Sequence, residues 1–101
     1  MSDNSSFEPL GATQNEAVTA TFETISLAGK LPDKDGAVRL LVIGTQTVFV
    51  RLDGTTPTTS NGIPLRPDQP ESFKMPVGQV DIKHIASATG STLYVTPGRG
   101  R

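Results

Sequence analysis

Apolar residues along this chain recur mostly at every second position, in short runs broken by glycine, proline and asparagine. The densest run is Val38–Leu52, V-R-L-L-V-I-G-T-Q-T-V-F-V-R-L. Val38, Leu40 and Val42 share one face of a first strand, and Val48, Val50 and Leu52 one face of a second. Gly44-Thr45-Gln46 between them predicts a hairpin. A sheet covered on one side alternates apolar and polar residues cleanly. Here the second face carries Leu41, Ile43 and Phe49 beside Arg39, Thr47 and Arg51, so that face too is expected to be covered.

The remaining pattern is also β. Val80–Ala86 and Thr92–Thr96 alternate around the turn residues Thr89-Gly90-Ser91 and predict a second hairpin. Ala17–Leu27 reads two ways. Val18, Phe22 and Ile25 have helical spacing, but Val18, Ala20 and Phe22 also alternate, and the β-branched Thr19, Thr21 and Thr24 favour a strand. Lys30–Gly36 contains Pro32 and Asp35-Gly36 and reads as a turn. Thr55–Pro70 is a long connection holding Pro57, Pro64, Pro67 and Pro70. Within it Ile63 and Leu65 fit a short edge strand, where proline is tolerated. Glu71–Met75 reads as a further short strand.

The expected fold is therefore all-β: a small antiparallel sandwich or jelly-roll-like barrel of six to seven short strands with an extended N-terminal arm. The divisions expected are an arm over 1–16, a β domain over 17–98 and a basic tail over 99–101. The arm is polar, and Phe7 and Leu10 are its apolar anchors.

Composition narrows the partners. Hydrophobic residues form 35% of the 101, with five aromatics, so the core is lean and some apolar surface is expected to be covered by another chain. The absence of cysteine removes disulfides and thiolate metal sites. Met1–Ser6 is polar with no apolar stretch following, which reads as no export signal. The longest uninterrupted apolar run, Leu40–Ile43, is far below the ~20 residues that span a bilayer, so no membrane partner is expected. The net charge of −1 divides into −4 before Ala37 and +3 from Ala37 onward. That division suits contact between neighbouring chains, and it is too weak for a nucleic-acid surface.

No constellation announces catalysis, and no catalytic, cofactor or metal residue is assigned. His84 is the single histidine and stands in line with Val80 and Ile82, which favours a structural role. Asp33-Lys34-Asp35-Gly36 begins like a calcium loop but lacks its later ligands, and reads as a turn. Asn4-Ser5-Ser6 matches a glycosylation triplet without an export signal. The glycines form no phosphate-binding pattern. The chain is read as a non-enzyme. Candidate partner-binding residues are Phe7, Leu10, Leu41, Ile43, Phe49, Arg99 and Arg101, the two arginines being suited to an acidic neighbour such as the arm of another copy.

Three stretches carry a resemblance: A-V-R-L-L-V-I-G-T-Q-T-V-F-V-R-L-D-G (Ala37–Gly54), I-P-L-R-P (Ile63–Pro67) and P-V-G-Q-V-D-I-K-H-I-A-S-A-T-G-S-T-L-Y-V-T-P-G (Pro76–Gly98). They resemble small virion proteins of tailed bacteriophages, and the ending Thr92–Gly98 is the most specific part. The resemblance implies a capsid decoration (cement) protein: a non-enzymatic homo-oligomer, dimer or trimer, bound to the major capsid protein on the virion surface and made in the cytoplasm of the bacterial host. It carries no functional residues over. The alternatives are a neck, head-fibre or tail component, or a small carbohydrate-binding β module.

Overall fold

The structure, a computed structural model, describes residues 7–32 and 35–100. It contains nine strands and no helix among them: β1 Phe7–Pro9, β2 Gln14–Val18, β3 Glu23–Ser26, β4 Gly36–Gly44, β5 Val48–Arg51, β6 Ile63–Leu65, β7 Glu71–Lys74, β8 Asp81–Ala86 and β9 Ser91–Gly100. Two antiparallel sheets face each other. One has the order β1-β9-β4-β7, with β2 also paired to β9. The other has the order β3-β8-β5-β6. We call them sheets A and B.

The two sheets are halves of one folded ribbon. The segment β8–β9 runs antiparallel to β4–β5, so that β9 pairs β4 from Gly36↔Arg99 to Gly44↔Ser91, and β8 pairs β5 from Val48↔Ala86 to Arg51↔Lys83. On its other side β8–β9 is flanked by β2–β3. Beyond β4–β5 lies β6–β7, also split between the sheets. All of these segments pass from one sheet to the other instead of turning back within one.

At the fold line, Gly44 and Gly90 hold φ values of 142° and 130°, a region L side chains rarely enter. A Cβ on Gly44 would stand 2.6 Å from the Cα of Ser91. The Ser91 hydroxyl accepts from the Gln46 N–H at 2.8 Å and donates to the Gln46 carbonyl at 2.7 Å. Thr45 N–H donates to the Gly90 carbonyl at 3.1 Å, and Ala86 N–H to the Thr19 carbonyl at 2.9 Å.

This corrects both expected hairpins. Val38–Ile43 and Thr47–Leu52 lie in opposite sheets, as do Val80–Ala86 and Thr92–Thr96. Leu40, Val42, Val48 and Val50 all belong to the core between the two sheets, reached from β4 in sheet A and β5 in sheet B. Alternation fixes which side chains point together; it does not fix which strand is the neighbour.

The all-β sandwich stands. Ala17–Leu27 contains strand and no helix, Ile63–Leu65 is an edge strand holding Pro64, and Asp35 has φ 58° in the expected turn. The count of nine strands exceeds six or seven because Phe7–Pro9 and Gln14–Val18 join sheet A. The boundary at 16 therefore falls inside β2, and the one at 98 inside β9. The core is aliphatic, built on Leu27, Leu40, Leu65, Ile82 and Leu93, with Phe73 and Met75 packed at its margin.

Candidate functional site

Each sheet has an outer face, and the second-face residues of the central stretch divide between them. On sheet A, Leu41 is paired with Tyr94 and Ile43 with Thr92; β2 places Asn15 and Ala17 on the far side of the same pairs. Leu41 and Tyr94 are half-buried, and Ile43 is 48% exposed. Phe49 belongs to the opposite outer face, on sheet B. There it is flanked by Ile85 on β8 and Pro64 on β6. Phe22 directly precedes Glu23, the partner of His84, so it stands beside Ile85 and is 38% exposed. Ile85, Phe49 and Pro64 thus form an apolar row across β8, β5 and β6, with Phe22, just before β3, extending it. Lys83 borders it, with Nζ 5.8 Å from the centre of the Phe22 ring and donating to the Gly54 carbonyl at 3.0 Å.

The N-terminal anchors behave differently from each other. Phe7 is buried yet lies outside the main core. Its ring rests on the outer surface of sheet A over Gly98, with the Arg39 guanidinium 4.8 Å from its centre. This part of the outer face of sheet A is thus covered by the chain's own N-terminal strand. Leu10 is 45% exposed, and its N–H donates to the Pro97 carbonyl at 3.0 Å. Arg99 pairs across strands with Glu8 of the same chain at 3.6 Å, so its acidic neighbour is intramolecular. Arg101 lies outside the described residues, as do Asn4-Ser5-Ser6 and Asp33-Lys34.

A polar cluster that the sequence did not announce sits between edge strands β2 and β3. Alternation turns Glu16 inward from β2 and Glu23 inward from β3, and β8 presents His84 between the sheets. His84 is wholly buried, and its Nε2 lies 2.8 Å from Glu16 Oε1. One donor atom from each of Glu16, Glu23 and His84 lies within 4.8 Å of the others. His84 Nδ1 and Gln14 Nε2 are buried without a hydrogen-bond partner. The structural reading of His84 fits its burial, but its surroundings are those of a potential ligand. No spacing rule reveals this, because the fold brings together residues far apart in the chain.

Two further features complete the surface. A cleft of about 410 Å³ is lined by Leu31, Lys74, Met75 and Val77 among others, beside the turn that precedes β4. At the end of β5, Arg51 grips Asp53 through two nitrogens and donates Nη1–H to the Asn61 carbonyl at 2.8 Å, closing the Asp53–Asn61 loop. Those hydrogen bonds, together with the Thr55 N–H, hold the Asp53 carboxyl far below the usual carboxylate range. The carboxylate in turn raises the Arg51 pKa.

With this geometry in place, comparison with known proteins adds no family: no family model matches the chain, and no curated protein matches its sequence.

Proposed function

We propose that this is a non-enzymatic structural protein of a tailed-phage particle, which binds and stabilises the capsid surface as a decoration protein. The observation that carries the reading is the apolar row Phe22, Ile85, Phe49 and Pro64 on sheet B. A soluble strand face of this kind gains from being covered: each ~100 Å² of apolar surface removed from water returns about 2.5 kcal/mol. The resemblance of Ala37–Gly54 and Pro76–Gly98 to phage virion proteins supplies the setting, and repetition over a shell would turn modest contacts into firm attachment. Sheet A, with Ile43, Leu41 and Tyr94, is then the face offered to other copies in a dimer or trimer.

The test is binding of the purified protein to expanded capsids of its parent phage, with copy number counted by densitometry. Hundreds of copies per particle, and loss of binding in a folded Ile85→Lys variant, are the expected results. A dozen copies or fewer would place the protein at the neck or tail. A folded monomer that never binds shells would overturn the reading.

A further inference from the structure

We propose that Glu16, Glu23 and His84 form a binding site for a divalent transition ion of the zinc class, which ties sheet A to sheet B along the open side of the sandwich. The donors come from three strands: Glu16 from β2 in sheet A, Glu23 and His84 from β3 and β8 in sheet B. Glu23 and His84 are direct cross-strand partners, so their side chains issue from one level of sheet B toward the same interior space. Glu16 reaches that space from the other sheet and meets His84 Nε2 at 2.8 Å.

The electrostatics favour a cation. Two carboxylates converge on one imidazole, and among the described residues neither glutamate has a lysine or arginine within ion-pair distance. The nearby Lys83 is turned to the outer face, toward Phe22 and the Gly54 carbonyl. Burial keeps water from the imidazole. An imidazole that only donated Nε2–H to Glu16 would leave the Nδ1 lone pair enclosed and unmet, as the structure has it. A metal on Nε2 would fix the proton on Nδ1, which stays without a partner either way, and would give both carboxylates a full positive partner.

The donor set selects the ion. Magnesium and calcium take oxygen ligands. Imidazole suits zinc, copper, iron and nickel, and one nitrogen with two carboxylate oxygens gives three of the four positions zinc requires. The Glu16 side chain is 37% exposed, so the remaining position opens toward solvent. Nδ1 lacks the hydrogen-bond acceptor that usually orients a ligating histidine, a deficit that lowers affinity by about 10–100-fold. Moderate affinity is therefore expected, with the gain appearing as stability, since binding to the folded state alone shifts unfolding.

Titration of the full chain with zinc chloride by calorimetry tests this, alongside cobalt(II) absorption and thermal melting. One ion per chain is expected, with d–d bands of a four- or five-coordinate cobalt site and a higher Tm. Glu23→Gln and Glu16→Gln should each weaken binding at least 10-fold and abolish the Tm shift. His84→Ala removes a buried ring and is informative only where it folds; the two Glu→Gln variants carry the test without it. Zinc bound equally well by folded Glu23→Gln, no stoichiometric binding at all, or calcium bound as tightly as zinc would each overturn the proposal.

Discussion

The Phe7 ring lies directly over Gly98, so closely that a Cβ at position 98 would stand 2.7 Å from Phe7 Cζ and closer still to the Glu8 carbonyl oxygen. Gly98 thus admits both the ring and the backbone of β1. Its replacement by alanine is expected to expel β1 and lower stability by about 2–3 kcal/mol, since backbone cannot yield as a flexible side chain does. Phe7→Ala should lower it by about 2 kcal/mol, below the ~3–5 kcal/mol of a core phenylalanine, because the ring is seated on an outer face. In both variants, amide exchange should rise at Phe7, Glu8 and Leu10 while β4 stays protected.

The fold line gives a sharper expectation. Gly44→Ala forces a side chain onto the Gly90 carbonyl and Ser91 at a φ that alanine resists. A loss of at least 2 kcal/mol in denaturant melts is expected. Ser91→Ala leaves the Gln46 N–H and carbonyl without their shared partner and should reduce stability by about 1–3 kcal/mol. An effect under ~0.5 kcal/mol for either variant would show that the crossing does not depend on this clamp.

The Arg51–Asp53 clamp predicts a response to acid. Asp53 ionises at a lower pH in the folded chain than in the unfolded one, so its contribution is complete above the ordinary aspartate pKa of ~3.9 and fades as pH falls below it. The pair is exposed and screened by salt, so the effect is on the loop and not on global unfolding. Backbone resonances of Thr55–Asn61 should hold steady from pH 7 through the ordinary carboxylate range at ~4 and move only well below it. Asp53→Asn should show the moved resonances already at pH 7.

Sheet B separates binding from folding. Phe22→Ser and Ile85→Lys alter side chains that are not in the central core, so chemical melts should shift by less than about 1 kcal/mol. If the row is a docking face, shell binding should fall at least tenfold in the same variants. Unchanged binding would remove the row from the interface.

Strand positions were legible because period-two alternation is local: Leu40, Val42, Val48 and Val50 point inward as their spacing requires. Strand partners were not. A glycine-bearing connection such as Gly44–Gln46 serves a hairpin or a crossing between sheets equally well, and only the pairing of β4 with β9 and of β5 with β8 decides. Leu41 and Phe49 looked like one patch for that reason and belong to opposite faces. Phe7 was legible as an anchor, but its seat on Gly98 was not, since that contact joins the two ends of the described chain. Glu16, Glu23 and His84 meet only through the pairings of β2 and β3 with the β8–β9 segment, which no motif records.

The placement of β9 has a consequence for the order of events as the chain is made. It is the last strand in sequence, and β1, β2 and β4 all take it as their partner in sheet A. Until residues 91–100 emerge from the ribosome, β4 has only the short strand β7 beside it, and β1 and β2 lack the strand they pair with. Sheet A therefore closes only once β9 is available, in a step that joins segments distant in sequence, and such pairings fold slowly. Any event that delays or removes Ser91–Gly100 leaves Leu40 and Val42 uncovered in a nascent chain, where aggregation competes with folding.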